Sequence, residues 1–402
     1  MSSWLVPRTE LTPDQIRAVE LDPNEHRVIC GAPGSGKTQI LLHRARYLTD
    51  RFQIEPHRLR IFVYTNVLKD YIRSALDLLE LPDDVVSTFD YFVVDYYEKH
   101  ISRLLPRKPA ETRPDFARIR LEVLRALRLL ASKARIFDCL LVDEGQDLDG
   151  VAFDLLRAFS KHVTVCLDHK QQIYEHGSNE AAILKGLGLK KRNLSLLSAF
   201  RCCPFVVNLA AEFIDDPDEK SAYINQARMP QVERETPLLY YSTDLVDEKR
   251  RLIEMLRIRL AKGERIGVLL PQKKQVFGVA EGMRAAGLEV ETPDDMDFSS
   301  DLPKILTYHS AKGLTFDTVL LPRLVPGSFP GMNTRRIERL LFVAISRATK
   351  WVYMSTKNGS SFPTLDRLRS ARHHQWLTIQ EGGLLVQPVT ATPAQDDLLD
   401  LL

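Results

Sequence analysis

Residues 28–38 read Val-Ile-Cys-Gly-Ala-Pro-Gly-Ser-Gly-Lys-Thr, and they constrain the chain more than any other stretch. Val28–Cys30 is a short apolar run of buried-strand type. Behind the loop, Ile40, Leu41, Leu42, Ala45 and Leu48 carry helical spacing. Between them, Gly34 and Gly36 let the backbone aim its N–H groups at a phosphate, at the positive end of the following helix. In that frame Lys37 reaches the β- and γ-phosphates of ATP, and the Thr38 hydroxyl holds Mg²⁺. An ordinary glycine-rich turn needs neither the strand before it nor the lysine and threonine after it.

The 402 residues suffice for two or three domains, and 44% hydrophobic with 27% charged residues is ordinary globular composition. The first residues lack the basic start and apolar run of a signal peptide, and no stretch approaches a membrane span. A cytoplasmic chain with no membrane partner is therefore expected. Five cysteines (Cys30, Cys139, Cys166, Cys202, Cys203) show no Cys-x-x-Cys spacing, which argues against a zinc or iron–sulfur site. The net charge of +2 neither demands nor excludes nucleic acid. Residues 101–135, however, carry ten Lys/Arg against three Asp/Glu. Spacing predicts an amphipathic helix over 115–134 with Ile119, Leu121, Leu124 and Leu127 turned inward. Its arginines read either as a solvated face or as a phosphate-contacting stripe.

Ahead of the loop, Thr12 can cap a helix whose first turn takes Pro13. Beyond it, Ile61–Asn66 and Val86–Phe89 look like strands. Cys139–Val142 is an apolar strand running into Asp143 and Glu144. Beside a phosphate loop, the first acid can hold Mg²⁺ and the second can polarise a water for attack on the γ-phosphate. Val163–Asp168 is a further strand with an acid at its end. Past Arg201 the alternation restarts, with strands at Leu238–Tyr241, Ile266–Leu270, Ile305–Thr307, Thr318–Leu321 and Trp351–Met354. Helices are expected at Asp247–Leu260 and Gln275–Ala286. The pattern predicts an α/β protein with two mostly parallel sheets covered by helices. Residues 385–402 read as a tail.

Taken in order from Leu11 to about Ser355, these motifs resemble the UvrD/Rep-like superfamily 1 DNA helicases. The resemblance implies two RecA-like motor domains. The first is 1–198, with a short basic helical insertion at 91–137, and the second is 199–384, before the tail at 385–402. It implies that Gln15 reads adenine, and that Tyr64-Thr65-Asn66 and Thr88-Phe89 contact the nucleic-acid strand. Asp143-Glu144-Gly145-Gln146-Asp147 is similar to the family's Asp-Glu-x-Gln-Asp box, which makes Asp143 a metal ligand and Glu144 the water-activating acid. Gln171 matches the γ-phosphate sensor, His176 a base-stacking position, Phe200 an adenine-stacking aromatic and Arg201 a phosphate contact. His309 lies in the closest match of all, Thr307–Asp317, and Arg347 falls on the arginine finger of the second domain. The activity so implied is ATP hydrolysis to ADP and phosphate at an interdomain cleft. It would drive 3′-to-5′ movement on single-stranded DNA, with RNA as the alternative strand.

This chain also departs from the family. Gln39 and Thr315 stand where an Arg and a Glu are usual near base and ribose. His176-Gly177 replaces a Trp-Arg pair, and Asp90 replaces a His. The large accessory insertions are absent, since the interval 91–137 is short and nothing is inserted between Glu291 and Pro303. These departures keep a second reading open, an ATP-gated nucleic-acid sensor or regulatory subunit that controls a partner such as a nuclease. A phosphate-loop kinase would leave His309–Asp317 and Arg347 unexplained. The last residues, Gln395–Leu402, cluster leucines around acids. They are expected to dock on the second half or to serve as a peptide resembling sliding-clamp ligands.

Overall fold

The structure, a computed structural model, describes residues 4–32, 34–108, 112–130, 135–168, 178–196, 202–226, 235–360 and 362–382. Strands β1 (Arg27–Gly31), β2 (Leu59–Val63), β3 (Val86–Thr88), β4 (Phe137–Val142), β5 (Ser160–Leu167) and β6 (Leu194–Leu196) form one sheet, in the order β3-β2-β4-β5-β1-β6. Strands β7 (Leu238–Ser242), β8 (Ile266–Leu270), β9 (Lys304–Thr307), β10 (Phe316–Leu321), β11 (Ala348–Lys357) and β12 (Thr378–Glu381) form the second, ordered β12-β7-β11-β10-β8-β9. Every strand pairing in both sheets is parallel. Parallel strands are covered on both faces, which is why their sequences run apolar without alternation. Val28, Ile29 and Cys30, for example, are all buried.

Helices α1 (Pro13–Val19), α2 (Lys37–Phe52), α3 (Asn66–Arg73), α4 (Phe89–His100), α5 (Phe116–Leu130), α6 (Gly150–Phe159) and α7 (Glu180–Leu187) accompany the first sheet. With the second go α8 (Pro204–Ala211), α9 (Pro217–Gln226), α10 (Leu245–Ala261), α11 (Lys273–Arg284) and α12 (Thr334–Ile345). The expected strands are all present, and two more occur among the described residues. β6 and β12 are three- and four-residue edge strands with polar residues inside them, so their sequences carry little strand signal. The basic stretch does form a helix, α5, but Leu121 is 42% exposed and Val123 is buried in its stead. From Ile119 the inward face runs through Val123, Leu124 and Leu127, whereas Leu121 lies two residues on and so points away.

The two halves meet at a shared cavity. The carboxyl ends of β1, β4 and β5 face the residues that precede or open β8, β10 and β11: Arg265, Gly313, Thr315, Asp317, Arg347 and Thr349 share one cavity with Lys37 and Glu144. Apolar packing reinforces the junction at Gly313, whose φ of 83° suits glycine. A Cβ there would fall 2.8 Å from Leu68 Cδ2 of α3. Among the described residues, no helix is long and apolar enough to cross a membrane.

Candidate nucleotide cleft

The phosphate loop leaves β1 at Gly31 and enters α2 at Lys37. Gly36 caps α2 in the left-handed region (φ 82°), and a Cβ there would lie 2.5 Å from Gln15 Nε2. Only glycine fits both demands. Gln15 is bonded at both ends of its amide. Its Oε1 accepts the Thr12 N–H at 2.9 Å in a capping box, and its Nε2 donates to Ser35 O at 3.0 Å, fastening α1 to the loop. Lys37 is buried and curls over its own loop, donating to Gly31 O (2.9 Å) and Ala32 O (3.1 Å), with Asp168 Oδ2 3.5 Å away.

The acids come off the end of β4. Asp143 accepts the Thr38 hydroxyl at 2.6 Å and the Glu144 N–H at 2.9 Å, so the two candidate metal ligands already touch. Glu144 sits in the left-handed region (φ 52°), a costly conformation for a non-glycine residue that turns the chain sharply after the strand. Its carboxylate accepts from Gln146 Nε2 at 2.6 Å, while Gln146 Oε1 accepts the Asp168 N–H at 3.0 Å, tying the acidic box to β5. Lys312 crosses from the second half to pair with Asp147 at 2.6 Å and lies 3.9 Å from Glu144 Oε2. All three side chains are almost wholly buried.

These contacts separate the acids electrostatically. Burial, then the neighbouring Glu144 charge, pushes Asp143 up to about 6. Burial also pushes Asp147 up to about 7, against the pull of Lys312. Burial would raise Glu144 too, but Lys312, Lys37 and Arg347 outweigh it and hold it below the usual carboxylate range. Because the folded protein keeps a proton on Asp143 that the unfolded chain has lost, this group favours folding below pH 3.8, and its contribution is lost as pH rises through about 6. Asp143→Asn is therefore expected to raise the Tm of the nucleotide-free protein by a few degrees at pH 8 and to leave it nearly unchanged at pH 4. Thermal melts at the two pH values check this. A lower Tm at pH 8 would contradict it.

Arg347 closes the cavity from the other half. It is buried, with Nε donating to Val343 O (3.0 Å), Nη2 to Ser346 Oγ (3.0 Å) and Nη1 to Leu314 O (3.4 Å). Burial lowers its pKa, and the facing charges of Glu144 and Asp168 oppose that. The cavity between the halves measures about 360 Å³ and is lined by Gln15, Gly34, Lys37, Thr38, Glu144 and Arg347, among others.

The expected strand-contacting residues gather elsewhere. Tyr64, Asn66, Thr88 and Phe89 line a second cavity of about 540 Å³ together with Asp147. Thr65 caps α3 by accepting the Leu68 N–H (3.0 Å), and Thr88 caps α4 by accepting the Tyr91 N–H (3.4 Å). The Phe89 ring is buried edge-on against Phe62 at 5.5 Å, so it serves the core as well as the cavity wall. His309 is half-buried, and burial with Arg336 and Lys312 nearby lowers its pKa. In the basic stretch, Arg118 pairs with Glu122 (2.8 Å), Arg120 with Asp90 (3.6 Å) and Asp149 (3.4 Å), and Arg128 with Asp154 (3.6 Å). Paired arginines of this kind suit a solvated helix face better than a phosphate stripe. Gln171, His176, Phe200, Arg201 and the tail lie outside the described residues. Sequence reasoning assigned no role to Gln146 or Lys312, although both stand inside motifs it quoted. It passed over Trp4 and Tyr71, which line the cavity from segments without a motif.

The model of the UvrD/REP helicase N-terminal domain matches residues 11–117, and that of the UvrD-like helicase C-terminal domain matches residues 287–359. A protein of Acanthamoeba polyphaga mimivirus, named a putative ATP-dependent DNA helicase, is 22% identical over 379 residues, covering 85% of this chain and 53% of its own length. The chain thus spans about half the length of that curated relative. The crystal structure of the C-terminal domain of a possible DNA helicase from Lactobacillus plantarum WCFS1 is 15% identical and covers 45% of this chain and 98% of its own, with a TM-score of 0.36, too low to bear on the fold. Both halves match their family models in the family's order, the phosphate loop and acidic box fall in the first half and Arg347 in the second. The chain is thus similar to the UvrD/Rep-like helicases in both halves, over residues 11–117 and 287–359.

Proposed function

We propose that the protein is an ATP-driven single-strand nucleic-acid translocase or helicase acting on DNA with 3′-to-5′ polarity, built from motor domains 1–198 and 199–384. One observation carries this reading. Lys37, Thr38 and Glu144 of the first half and Arg347 of the second line a single cavity. ATP laid on the loop would draw Lys37 from the Gly31 and Ala32 carbonyls to its phosphates. Thr38 and Asp143 offer a hydroxyl and a carboxylate, the hard oxygen donors that would hold Mg²⁺, whose charge would offset that of the phosphates. Glu144, held ionised, would polarise the attacking water, and Arg347 would spread the charge of the transferring phosphoryl group. Asp147 lines the second cavity and pairs with Lys312, which also approaches Glu144. One buried lysine thereby links the strand groove to the hydrolytic acid, and ATP closing the halves would alternate with release after hydrolysis.

The groove itself favours a second reading. Asp90, Asp147 and Asp149 all line it beside the single cation Arg120, a weak grip for phosphate among the described residues. A nucleic-acid sensor that controls a partner such as a nuclease would need no stronger one. Strand displacement on 3′- and 5′-tailed duplexes separates the two. A translocase frees the strand of the 3′-tailed duplex only and requires ATP, whereas a sensor hydrolyses ATP and displaces neither. Displacement from the 5′-tailed duplex would overturn the polarity.

A further inference from the structure

The cleft contains an aromatic wall that no family motif supplies. Gln39, His43 and Tyr47 stand at i, i+4 and i+8 on α2, one above another, and together they hold the N-terminal segment against the helix. Gln39 Nε2 donates to the Trp4 carbonyl (3.2 Å), His43 Nε2 bonds the Val6 carbonyl (2.8 Å), and the Arg8 guanidinium lies 5.6 Å over the Tyr47 ring. Leu5, Val6 and Leu11 are buried, so the segment is packed as well as bonded. It delivers Trp4 to Tyr71 of α3, where the two rings stack with centroids 4.0 Å apart and planes 20° apart. The indole N–H donates to Ser74 Oγ (3.1 Å), and Phe298 braces Tyr71 edge-on at 4.9 Å. Trp4 and Tyr71 line the same cavity as Lys37, Thr38 and Arg347, and Trp4 is only half-buried there.

A half-exposed indole fixed at its backbone and its ring, beside a phosphate loop, stands where a nucleotide's base projects once the triphosphate is seated. We propose that Trp4 is the stacking wall for the base of the bound nucleotide, and that Gln39 holds Trp4 in place rather than meeting the base itself. The proposal rests on the nucleotide reading of the cleft. It also defines selectivity. One acceptor site and one amide N–H of Gln15 are committed to the Thr12 N–H and the Ser35 carbonyl, which leaves stacking area the larger share of the discrimination. Purine triphosphates, ATP and GTP alike, would bind better than CTP.

The test is equilibrium binding of ATP, GTP, CTP and inorganic tripolyphosphate to the full chain with Mg²⁺, for the wild type, Trp4→Leu and Trp4→Phe. Trp4→Leu is expected to weaken ATP and GTP by about fivefold to a hundredfold. It should reduce the preference over CTP and leave tripolyphosphate unchanged. Trp4→Phe keeps an aromatic ring on Tyr71 and should lose less for the same purines, a readout that survives even where leucine unsettles the segment. Equal loss for tripolyphosphate would make Trp4 a purely structural residue and overturn the proposal, as would unchanged purine affinity in both variants. A wild type that binds neither ATP nor tripolyphosphate would overturn the nucleotide reading beneath it.

Discussion

Glu144→Gln is expected to bind ATP with near wild-type affinity and to hydrolyse it about 10²–10⁴ times more slowly. The carboxylate is kept ionised by Lys312, Lys37 and Arg347, so it is ready to accept a proton from water. Glutamine keeps the size and can still bond Gln146, but it cannot take that proton. The position is also conformationally demanding, with a φ of 52°, and glutamine meets that demand no worse than glutamate. Nucleotide binding and Tm should therefore survive. Single-turnover hydrolysis beside equilibrium ATP binding checks the split. A variant that turns over at the wild-type rate would remove Glu144 from the reaction.

Arg347→Ala is expected to cost on the order of 10³–10⁵ in turnover while changing ATP affinity far less, because a finger acts chiefly on charge that develops in the transition state. The guanidinium is held by the Val343 and Leu314 carbonyls and the Ser346 hydroxyl, all from its own half. It is thus preorganised without drawing on the first half. Arg347→Lys keeps a charge but not the planar fork, and should recover little. Equal losses in binding and turnover for Arg347→Ala would identify a ground-state phosphate clamp instead.

Much of this was legible in the sequence, for reasons that particular residues show. Buried parallel strands announce themselves as unbroken apolar runs, so Ile266–Leu270 was read to the residue. The loop and acids were legible because phosphate chemistry fixes their spacing to a strand and a helix. β12 was not, because an edge strand of Thr-Ile-Gln-Glu has no face to bury. Leu121 was assigned inward from hydrophobicity, against the helical angle that puts Val123 there. Lys312 stood inside a quoted motif, yet its pairing with Asp147 depends on how two sheets meet, which no local pattern records. Trp4 lay furthest from view, since its meaning comes from three residues on α2 that hold the segment carrying it.

The most direct measurement is the steady-state ATPase rate of the full chain with and without single-stranded DNA, run beside Lys37→Ala. If the cleft is a strand-coupled ATPase, turnover rises severalfold with the strand and disappears in Lys37→Ala under both conditions. Turnover that ignores the strand, or that persists without Lys37, would contradict it.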